Sequence, residues 1–215
     1  NITKNYWKAG KNYEWIYYLL EDEKNLEEKS IVEVGSRDAL DSLNIVKKFN
    51  FKKAYIFEPS LPGIHESLKN INDHPLGKRV TFFPFALGNE NGLRKFFENT
   101  EKVDIPNIGA SGFYLDQHSN EYKSYKVPVY KIDEVLGDNI DDFLLLMIDV
   151  EGAELEVIKN QALLMSKFKY VCLEISVSTS ELPLSTNLKE VDKALRSYGY
   201  NFLEAKGQNF LDVDE

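Results

Sequence analysis

Acidic residues stand at the ends of several short apolar segments of this sequence, and their positions suggest a binding site. Glu33, Glu58 and Asp149 each close or follow a run whose apolar pattern is typical of a β-strand. The carboxyl ends of parallel strands meet at one edge of a sheet, where ligands bind. Carboxylates gathered there repel one another unless a cationic or hydroxyl-bearing group lies between them. The sequence therefore predicts an acidic site for such a ligand.

The segments that would position these acids alternate between strand patterns and helix patterns. The predicted strands are 31–34, 54–59, 80–87, 143–149 and 170–176. The predicted helices are 40–49, 61–71, 153–164 and 188–198. This alternation indicates a parallel sheet with right-handed crossovers, and residues 200–213 add a closing hairpin. We therefore expect an α/β fold: a Rossmann-like sheet of about seven mostly parallel strands with helices on both faces and an antiparallel C-terminal hairpin.

The rest of the chain adds two features to this core. Residues 13–20 carry an amphipathic helix pattern, so we predict an N-terminal helical arm over residues 1–29 and the main domain over residues 30–215. Residues 89–131 interrupt the alternation with two exposed strand patterns around a stretch rich in turn-forming residues. We interpret that region as an insertion with extra strands and a mobile loop.

Composition limits the classes of partner. A formal net charge of −9 argues against nucleic-acid binding, which needs a basic face for phosphate. No apolar run approaches the ~20 residues of a membrane span, and the polar and aromatic first residues do not resemble a secretory leader. The single cysteine, Cys172, allows no internal disulfide and fits a reducing compartment, so we expect a cytoplasmic protein. The chain could form a homodimer or be part of a longer protein.

The loop after the first strand argues against a phosphate-bearing cofactor. Gly35 is its only glycine, whereas a dinucleotide site uses the pattern G-x-G-x-x-G. Asp38 and Asp41 would stand where a diphosphate must bind, and the sequence has no Gly-Lys-Ser or Gly-Lys-Thr phosphate loop. A ligand with ribose, adenine, an amine and a sulfonium, but no phosphate, fits an acidic rim better. S-adenosylmethionine is such a ligand.

Individual residues can be matched to the parts of this cofactor. Glu58 ends the second strand, where an acid in this architecture holds the two ribose hydroxyls. Glu33 could reach the amino group through water, and Ser42 could bind the carboxylate. Gly35 would let the backbone pass close beneath the methionine part, and Ala86 would leave room for the adenine edge. The predicted cofactor-binding residues are Glu33, Gly35, Ser36, Arg37, Ser42, Glu58 and Ala86.

Five segments of residues 31–176, in this order, resemble the motifs of the FkbM-type S-adenosylmethionine-dependent methyltransferases. The segments are EVGSRDALDS at 33–42, FEP at 57–59, FALGNENG at 85–92, VPVYKIDEVL at 127–136 and MIDVEGAELEVIKN at 147–160. The resemblance implies a class I methyltransferase sheet. Two residues depart from the family's first motif, because Arg37 and Ala39 stand where it has Asn and Gly. Arg37 could pair with the cofactor carboxylate or with Asp38 or Asp41.

The resemblance also implies a reaction, the transfer of a methyl group to an oxygen, often a hydroxyl of a sugar in a glycan, a glycolipid or a natural product. A hydroxyl needs a base to take its proton. We expect Asp149 to be that base or to orient the acceptor, with Glu151 as the second candidate. His118 lies in a loop that could fold over the site and is a further candidate. No metal is expected, although Asp149, Glu151 and Glu174 could instead hold Mg²⁺.

Other functions stay open on the sequence alone. The same scaffold could methylate a nitrogen, or a protein or lipid headgroup. A methyltransferase-like binding module without turnover is compatible with Arg37 and Ala39 in the loop. A nicotinamide-dependent dehydrogenase is the third alternative, and the single glycine of the loop argues against it.

Overall fold

Most of the chain can be described in a computed structural model. The described residues are 13–99, 111–114, 122–139, 141–175 and 188–204. All structural statements below refer to these residues.

Eight strands are arranged in two sheets. The strands are β1 (Lys29–Val34), β2 (Lys53–Phe57), β3 (Val80–Phe83), β4 (Ala86–Leu87), β5 (Gly92–Asn99), β6 (Tyr122–Tyr130), β7 (Asp142–Ile148) and β8 (Tyr170–Leu173). The main sheet has five strands in the order β3-β2-β1-β7-β8, and every neighbouring pair is parallel. The chain runs outward from β1 to β3 and later returns to the other side of β1. The order of strands therefore reverses between β1 and β7, which is where such sheets bind ligands.

Seven α-helices accompany the strands. They are α1 (Tyr17–Glu21), α2 (Leu40–Phe49), α3 (Leu61–Asp73), α4 (Ile132–Leu136), α5 (Glu154–Ile158), α6 (Ala162–Met165) and α7 (Leu188–Ser197). Alternate residues of β1 face opposite sides of the sheet. Ile31 belongs to the buried cluster that contains Leu20 and Leu43, and Val32 belongs to the cluster that contains Val157 and Val191. Helices therefore cover both faces, and the predicted Rossmann-like α/β fold is confirmed.

The second sheet is small and mixed. Its strand order is β4-β6-β5, with β5 and β6 antiparallel and β4 parallel to β6. Gly112 extends it through a bridge to Phe97, in which each backbone amide donates to the other residue's carbonyl at 3.0 and 2.9 Å. Phe96, Val127 and Val129 form its own buried cluster. Of these strands, β5 and β6 fall in the region 89–131 that the sequence assigns to an insertion, and β4 immediately precedes it.

Three sequence predictions about the elements need correction, and a fourth, the C-terminal hairpin, lies mostly outside the described residues. The predicted strand 80–87 is two strands in different sheets, because Pro84 between them has no amide hydrogen for a ladder. The predicted helix 153–164 is interrupted at Asn160, whose φ is 61°. The main sheet has five described strands instead of about seven. Residues 201–204 carry no strand, and the rest of the predicted hairpin, 205–213, lies outside the described residues.

The helices of the described part are all too short or too polar to cross a bilayer.

Candidate active site

A cleft opens at the carboxyl ends of β1, β2 and β7. It has about 740 Å³ of empty space, part of which is open to solvent. Seven of the ten residues proposed from the sequence line it, namely Glu33, Gly35, Ser36, Arg37, Glu58, Ala86 and Asp149. Ser42 and Glu151 lie nearby without being among the lining residues, and His118 lies outside the described residues.

Gly35 allows the ends of β1 and β7 to meet. Its φ is +84°, and a Cβ at this position would lie 1.7 Å from the carbonyl oxygen of Asp149. Its amide donates to the carbonyl of Phe57 at 2.9 Å, so the same residue also ties the end of β2 to the loop. The glycine is therefore required by the contact between strand ends, whatever ligand lies above it.

The loop after Gly35 is held by its own polar groups. The Ser36 hydroxyl accepts a hydrogen bond from the Ala39 amide at 2.9 Å. The Arg37 guanidinium donates to Asp38 Oδ2 from Nε at 3.2 Å and from Nη2 at 3.0 Å. The sequence left open whether Arg37 pairs with a ligand or a neighbour, and in the structure it pairs with Asp38. Arg37 and Ala39 both have left-handed backbone angles, with φ of 57° and 64°.

Glu58 presents a fixed carboxylate at the end of β2. Its side chain is only 5% exposed. One oxygen accepts from the Arg37 amide at 2.8 Å and the other accepts from the Ser60 amide at 2.7 Å. Burial raises the pKa of Glu58, and the hydrogen bonds from Ser60 and Arg37 oppose the rise. The two amides orient the carboxylate and use only part of its capacity to accept hydrogen bonds.

Glu33 and Asp41 are two more acidic residues that line the cleft. They are 2% and 4% exposed, respectively. Burial raises the pKa of Glu33 to about 8, and the negative charge of Asp41 adds to the rise. Ser42 lies near this carboxyl without the geometry of a hydrogen bond, so Glu33 Oε2 and Ser42 Oγ both lack a partner among the described residues. A cationic ligand would relieve this cluster of acids.

The segment after β7 holds Asp149 and Glu151. The Asp149 amide donates to the Val34 carbonyl at 2.9 Å, which continues the β1–β7 pairing to the edge of the cleft. Burial raises the pKa of Asp149 well above its ordinary value, and the charges of Glu174 and Glu151 raise it further. Burial and the charge of Glu174 raise the pKa of Glu151 to about 7. One of these carboxyls can therefore exchange a proton near neutral pH.

Comparison with known proteins places the chain in a family. A family model described as the methyltransferase FkbM domain matches residues 33–202. The chain belongs to the FkbM methyltransferase family. A crystal structure of the methyltransferase FkbM from Methylobacillus flagellatus KT is similar in fold, with a TM-score of 0.53 and 15% sequence identity. That similarity covers 80% of this chain and 38% of the other, so this chain spans less than half of that protein's length. No curated protein matches the chain.

Two further parts of the chain line this FkbM-family cleft, although none of their residues is among the ten site residues named from the sequence. Tyr13 lines the cleft from the segment before α1, and its buried hydroxyl makes no hydrogen bond with the described residues. Ser111, Gly112 and Phe113 line it from the small sheet. Tyr13 comes from a distant part of the chain, and no local pattern links it to β1. Residues 111–113 belong to the predicted insertion, whose loop was expected to fold over the site.

The ionisable residues of the cleft are mostly acidic. Among the described residues that line it, four are acidic, namely Glu33, Asp41, Glu58 and Asp149, and only Arg37 is basic. The described residues contain no group of three or more His, Cys, Asp or Glu side chains arranged to hold a metal ion. The arrangement of this FkbM-family site therefore suits a ligand with positive charge and hydroxyl groups.

Proposed function

We propose that this FkbM-family domain transfers a methyl group from S-adenosylmethionine to a hydroxyl oxygen of a sugar in a glycan, a glycolipid or a natural product. The observation that carries the proposal is the acidic cleft at the strand-order reversal, with the buried carboxylate of Glu58 at the end of β2. This is the place where a parallel sheet binds a nucleoside, and an acid there suits two ribose hydroxyls. The net charge of −9 supports an acceptor other than nucleic acid.

The residues present fit the proposed methyl donor. Glu58 would hold the ribose hydroxyls with the hydrogen-bonding capacity that its two amide partners leave unused. Glu33 has an unpartnered, buried oxygen that suits the donor's ammonium group. Ala86 is small and lines the side of the cleft on which the adenine would lie. When bound, S-adenosylmethionine supplies a methyl group on a sulfonium, which is a good leaving group.

The protein itself contributes to the reaction by positioning the acceptor oxygen and by taking its proton. Holding the acceptor oxygen in line with the methyl carbon accounts for most of the expected rate. Asp149 lines the cleft and, as the proposed base, takes the hydroxyl proton. Glu151 is not among the lining residues and acts through its charge, which helps to raise the pKa of Asp149. Phe113 and Ser111 offer an aromatic face and a hydroxyl on the wall supplied by the small sheet.

A cytoplasmic location is part of the same proposal. Its support is the single cysteine, Cys172, which is buried and free.

The test is titration calorimetry with S-adenosylmethionine, followed by mass spectrometry of oligosaccharide acceptors. The wild-type protein should bind the donor, and one methyl group should appear on an acceptor hydroxyl. Glu58→Gln should weaken binding about tenfold or more, because hydrogen bonds to a charged group contribute roughly 1.5–3 kcal/mol. Glu27→Gln changes an exposed acid outside the cleft and should bind like the wild type.

The outcomes separate the proposed function from its alternatives. A folded wild-type protein that does not bind S-adenosylmethionine would contradict the whole proposal. Binding with methylation of amines and never of hydroxyls would overturn the oxygen assignment. Binding without product on any acceptor would identify a module without turnover.

A further inference from the structure

Four buried side-chain polar atoms lack a hydrogen-bond partner among the described residues. They are the hydroxyls of Tyr13, Ser30 and Ser42 and one carboxylate oxygen of Glu33. Ser30 lies near the amino end of β1, away from the cleft. The other three lie at the carboxyl end of that strand, where Tyr13 and Glu33 line the cleft. Buried polar groups in native proteins are nearly always paired, so three unpaired groups in one place point to a ligand.

Tyr13 is the member of this group that the proposed function does not yet use. Its side chain is 5% exposed, and its ring belongs to the apolar cluster that contains Ile16 and Met147. Burial raises the pKa of Tyr13 well above its ordinary value, and the charges of Asp149, Cys172, Glu33 and Asp41 add to the rise. The phenol therefore keeps its proton, so it can both donate and accept a hydrogen bond.

The three unpaired groups match the chemistry of an α-amino acid. Glu33 Oε2 can accept from an ammonium group. The hydroxyls of Tyr13 and Ser42 can donate to a carboxylate, which needs such donors when it is taken out of water. Arg37, the basic residue among those that line the cleft, is paired with Asp38. The neutral hydroxyls beside Glu33 are therefore the donors that we assign to the ligand's carboxylate.

We infer that Tyr13 is a further donor-binding residue, whose hydroxyl hydrogen-bonds the α-amino-acid end of S-adenosylmethionine beside Glu33 and Ser42. This assignment rests on the proposed function. It also gives the segment before α1 a role, because Tyr13 of that segment lines the cleft together with Glu33.

The test compares two ligands on one pair of variants. Tyr13→Phe removes only the hydroxyl, and Tyr18→Phe removes the hydroxyl of a neighbouring tyrosine that is bonded to Glu204. S-adenosylmethionine carries the amino-acid end, and 5′-methylthioadenosine lacks it. In calorimetry, Tyr13→Phe should bind S-adenosylmethionine about ten- to a hundredfold more weakly, as expected for one lost hydrogen bond to a charged group. Its affinity for 5′-methylthioadenosine should be unchanged, and Tyr18→Phe should match the wild type with both ligands.

Ligand-free stability gives a second and independent measurement. Removing a buried hydroxyl that has no partner should leave the melting temperature unchanged or raise it. A lower melting temperature for Tyr13→Phe would show that the hydroxyl has a structural partner and would overturn the inference. Unchanged affinity for S-adenosylmethionine would also overturn it, while the proposed function would stand. If the wild type itself fails to bind S-adenosylmethionine, the proposed function fails and the inference falls with it.

Discussion

At the scale of single residues, the surroundings of Asp149 at the end of β7 set the pKa of the proposed base. An ordinary aspartate, with a pKa near 3.8, would be ionised at neutral pH and would be a weak base. Burial raises the pKa of Asp149 well above that value, and the charge of Glu174 raises it further. A base is active only when it is unprotonated, so activity should increase with pH and level off above the raised pKa of Asp149.

The contribution of Glu174 can be tested without disturbing the core, because this residue is exposed at the end of β8. Glu174→Gln removes a negative charge that raises the pKa of Asp149. The pH of half-maximal activity should therefore move to lower pH, by roughly one unit. The measurement is the pH–rate profile of methyl transfer at saturating donor.

Two further variants accompany this measurement, one as a control and one that removes the proposed base. Glu134→Gln changes an exposed acid that is not among the residues whose charges raise the pKa of Asp149. The pH–rate profile of this variant should therefore match that of the wild type. Asp149→Asn should lower kcat by about 10²–10⁴, the usual contribution of a general base. A Glu174→Gln profile that coincides with the wild-type profile would contradict the role given to this charge.

Some residues that line the cleft could be named from the sequence, and others could not, for a physical reason. Glu33 and Glu58 could be named because each immediately precedes or follows a recognisable strand end, and parallel strand ends lie together. Tyr13 could not be named, because its place in the cleft depends on packing against residues far along the chain. The pairing of Arg37 with Asp38 was one of several open options, since sequence spacing does not fix a side-chain direction.

At the scale of elements, the close contact between β1 and β7 depends on Gly35. Gly35→Ala would bring a Cβ to 1.7 Å from the Asp149 carbonyl oxygen, and the residue also has a left-handed φ of +84°. The backbone at the end of β7 cannot move away from this Cβ without breaking the pairing of β7 with β1. The expected loss in the free energy of unfolding is on the order of 4 kcal/mol or more.

Gly199 provides a matched control for this substitution. It follows α7 with a φ of +92°, but a Cβ there would have nothing within 4 Å. Gly199→Ala therefore carries the backbone strain alone, about 1–3 kcal/mol. Urea unfolding of both variants measures the difference, and equal losses would contradict the steric account of Gly35.

Element boundaries show where sequence patterns succeed. Helix α2 begins and ends where its apolar spacing predicts, at Leu40 and Phe49. The break between α5 and α6 was missed because the apolar spacing continues across it while the backbone turns at Asn160. Such turns depend on tertiary contacts, as when the Asp133 carboxylate accepts from the amide of Leu164 at 2.8 Å.

At the scale of the whole molecule, the two sheets together enclose the cleft. Tyr125 of the small sheet accepts from the Leu61 amide at 2.9 Å and donates to Glu98 at 2.7 Å. Arg94 of the same sheet is paired with Glu156 of α5. The contacts with Leu61 and Glu156 attach the small sheet to α3 and α5, and Phe113 beside this sheet lines the cleft. The alternating α/β order and an inserted loop over the site could be predicted from the sequence, whereas the contacts that attach the small sheet to α3 and α5 could not.

We propose that S-adenosylmethionine binds over the ends of β1 and β2. A crystal structure of the protein with S-adenosylhomocysteine, the demethylated product, tests it most directly. We expect the ribose hydroxyls within hydrogen-bonding distance of Glu58 and the amino-acid end beside Glu33, Ser42 and Tyr13. A product bound elsewhere, or a cleft at the strand ends filled by side chains, would contradict it.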